Sequence, residues 1–177
     1  LDPDTTPMMP PMVGVVSFGQ RPVEQVAVDG DTVYVGVDGT SWQEQRQIVY
    51  AIDASDPTSP EILSEYDDFW YPNIVSLDLA ASNGLLYAAH PPGSPSLRDF
   101  DLVRGLVILD MLADPSDPSV LGAYKGRTAA FSGLDVEGDT VYLFDRGEGL
   151  VALDASNPTD IVRLGNYHSP AALRQIE

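Results

Sequence analysis

LDVEGDTVY at residues 134–142, followed by LVALDASNP at 150–158, decides the fold of this chain, because nearly the same text occurs three times. VAVDGDTVY (26–34) precedes IVYAIDASDP (48–57), and LDLAASNGLLY (77–87) precedes LVILDMLADP (106–115). Pro57, Pro115 and Pro158 each precede a tyrosine by nine residues, at Tyr66, Tyr124 and Tyr167. The hairpin tyrosines Tyr34, Tyr87 and Tyr142 lie 53 and 55 residues apart. Strand-like spelling at this period predicts stacked sheet units of the propeller-blade kind.

One unit shows why. Leu134 and Val136 alternate with polar residues, which spells a half-buried strand. Gly138-Asp139 turns the chain, as Asp29-Gly30 and Asn83-Gly84 do in the other units. These residue types tolerate the positive φ of tight hairpins. Thr140 to Phe144 form the second strand, rich in residues that suit a pleated surface. Leu150 to Leu153 form an apolar third strand, expected to be buried on both faces. Asp154, Ser156 and Asn157-Pro158 close a turn, with side chains able to accept backbone N–H bonds, and a fourth strand runs through Val162 to Tyr167.

The expected fold is therefore all-β: a β-propeller with three four-stranded antiparallel blades, at about 19–66, 67–124 and 125–167. Val13 to Phe18 read as a fourth strand with no preceding three, and 168–177 as the start of a next blade. Propellers close with roughly four to eight blades, so the chain is expected to be part of a larger or partner-completed ring. Residues 1–12 (LDPDTTPMMPPM) read as a Pro-rich linker or the stub of a removed leader.

The blades spelled GDTVYV, GLVALDASNPTD and LGNY resemble the LVIVD-repeat family of bacterial and archaeal surface proteins. The repeat core stands here as Ile48 to Asp53, Leu106 to Asp110 and Leu150 to Asp154. The resemblance implies a β-propeller, export from the cytoplasm and, often, a larger anchored protein. It implies no established catalytic residue. The second unit departs from the pattern, with an extra residue in Asp110 to Pro115 and a long loop at 91–104.

Composition narrows the partners. The net charge is −18, which disfavours nucleic acid, since phosphate needs clustered Lys and Arg. Such a charge suits solubility in an extracellular, saline or acid-tolerant setting; with the export that the resemblance implies, the expected location is extracellular, periplasmic or cell-surface. No apolar run approaches the roughly 18 residues of a membrane helix. With no cysteine, thiolate metal sites and disulfides are impossible within these residues.

In such a fold, loops after the second and fourth strands share one end, the top, and the other turns share the bottom. Arg21, Arg46, Arg98, Arg104, Lys125, Arg127 and Arg146 fall at the top with Trp42, Phe69, Trp70, Tyr71, His90 and Phe100. Arg163 falls near the bottom, among acids such as Asp29, Asp56, Asp114 and Asp160. Aromatics beside arginines are favoured at interfaces, so Trp42, Arg46, Trp70, Tyr71, His90, Arg98, Arg127 and Arg146 are the candidate binding residues. The alternative is that the aromatics pack between blades and the arginines pair with nearby acids.

Catalytic patterns are weak. His90 and His168 are the two histidines; they lie in HPPG and YHSP, and neither has a triad spelled around it. No Asp-x-Asp-x-Asp-Gly loop with its distal Glu appears, so no cofactor is expected, although calcium suits the plentiful oxygen ligands. No phosphate-binding glycine pattern precedes a helix. Asp67-Asp68 is the weak option for glycosidase-type carboxylates. The expectation is a non-enzymatic, exported interaction or scaffold module that binds a protein or glycan through its top loops. The alternatives are a fragment of a polysaccharide-active or other hydrolytic propeller, and a structural subunit that assembles with copies or neighbours.

Overall fold

The computed structural model describes residues 11–38, 46–70, 78–90, 105–126, 131–145 and 147–168. Its strands are β1 (Val23–Asp29), β2 (Thr32–Asp38), β3 (Arg46–Asp53), β4 (Glu61–Trp70), β5 (Asp78–Ser82), β6 (Leu85–His90), β7 (Gly105–Asp110), β8 (Ser119–Lys125), β9 (Phe131–Glu137), β10 (Thr140–Asp145), β11 (Gly149–Asp154) and β12 (Val162–Tyr167). They form three four-stranded sheets, β1-β2-β3-β4, β5-β6-β7-β8 and β9-β10-β11-β12, in which each strand pairs antiparallel with its neighbour in sequence. No described residue is helical.

The three hairpins close in two ways. In the β5–β6 turn both central residues have positive φ, Asn83 at 56° and Gly84 at 76°, the type I′ pattern. At β1–β2 and β9–β10 only the first central residue does, Gly30 at 58° and Gly138 at 59°, the type II′ pattern. Both turn types match the natural twist of antiparallel strands.

A bulge recurs at one place in every sheet. The third and fourth strands shift register between Ala51 and Ile52, between Ile108 and Leu109, and between Ala152 and Leu153. The extra residue on the outer strand is Leu63, Leu121 or Leu164. A bulge adds twist, which turns the two halves of the outer strand toward opposite faces of the blade.

The innermost strand β5 lies against both β1 and β9, so the sheets stack as an arc in chain order. The core is laid down between blades. Tyr34, Val49 and Ala51 of the first blade pack on Leu86, Ala88, Val107, Leu109 and Met111 of the second. Tyr87, Ala89, Leu106 and Ile108 of the second pack on Val141, Leu143, Val151, Leu153 and Ala155 of the third. The middle blade is sealed on both faces: Gly105 to Leu109 of β7 are all buried. The equivalent strand β11 alternates, with Val151 and Leu153 buried and Leu150 and Ala152 half-buried. The expectation that Leu150 to Leu153 are buried on both faces is therefore corrected. One face of that strand has no described blade over it.

Residues 13–18 carry no ladder with any described strand. They nonetheless lie over the far face of the first blade, where Val16 and Phe18 cover a cluster of Val35, Val37, Ile48 and Ile52. The Phe18 ring stacks at 5.0 Å from that of Tyr50. Gly36 lies inside β2, and Gly149 opens β11 at a φ of 83°.

Candidate binding surfaces

The bottom turns are built by the repeated carboxylates. In the first blade the Asp53 carboxylate accepts the Ser55 N–H at 2.8 Å. Asp56 then accepts the Thr58 N–H at 2.9 Å and its hydroxyl at 2.7 Å. In the second blade Asp110 accepts the N–H groups of Leu112 and Ala113 at 3.0 and 2.9 Å, and Asp114 accepts the Ser116 N–H and hydroxyl at 3.1 and 2.7 Å. In the third, Asp154 accepts the Ser156 N–H at 2.9 Å, and Asn157 accepts the Thr159 N–H and hydroxyl at 3.2 and 2.9 Å. Each unit thus spends two short polar side chains on two consecutive Asx turns. The aspartate that ends the repeat core is an architectural acceptor.

These bonds favour the ionised form. The Asp53, Asp56, Asp114 and Asp154 carboxyls are all held below the ordinary carboxylate range, by the Ser55, Thr58, Ser116 and Ser156 donors respectively. A carboxyl whose folded-state pKa is depressed contributes stability above its unfolded pKa and loses it as pH falls through the folded value. Asp78 works in the opposite sense, because burial raises its pKa. Four depressed carboxyls against one raised predict a net loss of stability below about pH 4. Asn157 already serves the same turn in the third blade, so Asp114→Asn should fold normally. Thermal melts from pH 7 to pH 2.5 should then show a shallower acid loss for Asp114→Asn than for the parent chain. An unchanged slope would remove this turn from the acid response.

Blades are stitched together at this same end. The Asp29 carboxylate accepts the Gly84 N–H at 2.6 Å, and the Tyr34 hydroxyl donates to the Gly84 carbonyl at 3.4 Å. The Ser82 hydroxyl donates to the Gly138 carbonyl at 3.2 Å. Burial, with Asp29 and Asp110 nearby, pushes the Tyr34 phenol from 10.0 up to about 12, so it remains a donor at any ordinary pH. Tyr87, at the matching position, is raised by burial and then by Asp139 and Asp29.

The third blade carries the same devices with no described blade over them. Tyr142 occupies the position of Tyr34 and Tyr87, which are 0% and 1% exposed, yet Tyr142 is half-buried. Tyr167 occupies that of the half-buried Tyr66 and Tyr124, and is 63% exposed. With Leu150 and Ala152 they form an apolar sheet face. Backbone contacts agree. A Cβ on Gly122 would collide with the Pro158 carbonyl of the next blade, whereas a Cβ on Gly165 would meet nothing within 4 Å. Gly122 and Gly165 each follow the turn proline by seven residues, as does Ser64. That spacing was the sequence signal for these contact positions, and the reading of the repeats passed over it. Ser64 has its hydroxyl buried there without a hydrogen-bond partner among the described residues.

The top end is placed in part. The backbones of Arg46 and Trp70 pair directly across β3 and β4, and His90 pairs with Gly105 across β6 and β7. Trp42, Tyr71, Arg98, Arg127 and Arg146 lie outside the described residues. Nearby, Gln47 is buried and donates to Asp38 at 2.7 Å. Asp145 is buried in the third blade, where its carboxylate accepts the N–H groups of Gly147 and Glu148 at 2.7 and 3.1 Å. Arg21, just before β1, has its Nη1 buried with no hydrogen-bond partner among the described residues. Arg163 begins in a strand near the bottom, but its guanidinium donates to Glu148 of the top turn at 3.1 Å. Among the described residues, no three carboxylates or histidines are grouped to hold a metal.

Three four-stranded meander sheets, stacked face to face in chain order with their inner strands adjacent, define an open arc of β-propeller blades. The LVIVD-repeat family description matches residues 101–126 and 131–169, which hold the third and fourth strands of the second blade and the whole of the third. Those stretches of the chain carry LVIVD repeats. The Asx-turn pair and the outer-strand bulge extend the same unit to the first blade. No curated protein matches the chain.

Proposed function

We propose that this chain is a non-enzymatic interaction module of an exported protein, which binds a protein or glycan through its top loops. One observation carries the reading. The repeated acids are committed to holding turns, while the arginines and large aromatics peculiar to each unit are spelled in loops expected at the opposite end. Arg46 and Trp70 pair through their backbones across adjacent strands, and arginine and tryptophan are residue types that interface hot spots favour. The LVIVD family resemblance favours export.

The test measures binding of the chain to a panel of surface polysaccharides and cell-surface proteins by surface plasmon resonance. The triple variant Trp42→Ala, Trp70→Ala and Arg98→Ala should weaken the interaction by about tenfold or more, as loss of hot-spot residues does. Undiminished binding by a folded variant would refute the top-face assignment. A second reading, that the chain is a structural subunit joined to neighbours blade to blade, is favoured by the open face around Tyr142.

A further inference from the structure

The sequence holds four asparagines, Asn73, Asn83, Asn157 and Asn166, and Asn83 is the one followed by glycine. An Asn-Gly step is prone to deamidation, because no side chain on the glycine hinders attack of its nitrogen on the asparagine side-chain carbonyl. The Gly84 nitrogen loses its proton and bonds to Asn83 Cγ, ammonia leaves, and a cyclic succinimide forms. Water then opens the ring at either carbonyl, giving aspartate or isoaspartate. Asn83 is exposed, at the tip of the β5–β6 hairpin. In a type I′ turn the N–H of the second central residue has no partner inside the turn. Gly84 carries that N–H, and the neighbouring blade takes it. The Asp29 carboxylate accepts it at 2.6 Å, while the Tyr34 hydroxyl donates to the Gly84 carbonyl at 3.4 Å. Both partners belong to the first blade. A carboxylate is too weak a base to take an amide proton. It holds that proton on the nitrogen, and its charge disfavours an amide anion beside it.

We infer that Asn83 is a deamidation site gated by the contact between the first and second blades. While the blades are together, Asp29 holds the Gly84 proton and the reaction is suppressed. When they part, the nitrogen is released and the succinimide forms. Either product adds a carboxylate to the turn that Asp29 grips, and like charges oppose re-docking. Isoaspartate also lengthens the backbone of a two-residue turn by a methylene, which carries Gly84 away from its partners. The modification is thus a one-way record of blade opening. It lies at the bottom end of the arc, so it is independent of the top-loop reading.

The test incubates the full chain at neutral pH and follows deamidation at Asn83 by peptide mass spectrometry, beside the same chain unfolded in guanidinium chloride. The folded chain should react at least about tenfold more slowly than the unfolded one, and Asp29→Ala should regain at least about tenfold in rate, the scale of losing a hydrogen bond to a charged group. Ser82→Ala removes a hydrogen bond to the third blade and spares the clamp, so it should keep the parent rate. Circular dichroism checks that both variants fold. A further readout needs no variant: in the parent chain the Gly84 amide should be protected from hydrogen exchange, although it stands at a hairpin tip. An unprotected Gly84 amide overturns the inference. So does a folded Asp29→Ala that reacts no faster than the parent, an equal acceleration by Ser82→Ala, or a folded parent that deamidates as fast as the unfolded chain.

Discussion

Tyr87→Ala is expected to destabilise the chain by about 3–5 kcal/mol, in line with truncation of a buried large aromatic, which lowers the melting temperature by roughly 6–20 °C for a domain of this size. Tyr87 is 1% exposed and lies between the second and third blades, among Leu106, Ile108, Val141 and Leu143. Removing its ring leaves a cavity between two sheets, which can refill only if the sheets shift against each other. The same change at Tyr142 removes the same atoms from the same position of the repeat, but there the ring is half-buried on the open face. Tyr142→Ala should cost under about 1.5 kcal/mol, because little of the transfer term and none of the cavity term is lost. Urea melts of the two variants side by side measure the difference directly. Equal losses would mean that the face around Tyr142 is covered as fully as the one around Tyr87.

That contrast marks what the amino-acid sequence can carry. The hairpin glycines, Asx-Pro turns and strand alternation are local chemistry, and each reappears in the structure as an N–H accepted by a carboxylate or a glycine at positive φ. Which tyrosine is buried is not local. Tyr34, Tyr87 and Tyr142 are spelled alike, and their fates differ because a blade lies over the first two. The bulges at Leu63, Leu121 and Leu164 were hidden for a related reason: equal spacing from proline to tyrosine is blind to an extra residue present in all three copies. Residues 13–18 were legible as an outer strand by their apolar spelling, but their lack of a ladder depends on strands that are not their neighbours in sequence. The candidate top residues sit in loops, whose spelling is peculiar to each unit and so has no internal copy to calibrate it. Among them the structure places the backbones of Arg46, Trp70 and His90 at strand ends.

Gly122→Val should be among the most damaging single changes in the chain. Gly122 is buried in β8 where the bottom turn of the third blade crosses it, and a side chain there would enter the Pro158 carbonyl and crowd the Thr159 backbone. The obstacle is main chain on both sides, so no rotamer change relieves it, and the blades must part. Overpacking of this kind costs about 3 kcal/mol or more, and the parting also exposes the cluster around Tyr87, Leu106 and Leu153. Gly165→Val is the control within the same molecule. It places the same side chain at the same repeat position, where nothing lies within 4 Å and no positive φ is required. A valine in a strand is favoured over glycine, so stability should hold or rise by up to about 0.5 kcal/mol. The two changes are chemically identical, so the sign of their difference isolates the blade-on-blade contact from strand propensity. If Gly165→Val proved as harmful as Gly122→Val, glycine would be required by the strand itself, and the equivalence of Gly122 and Gly165 as blade-contact positions would fail.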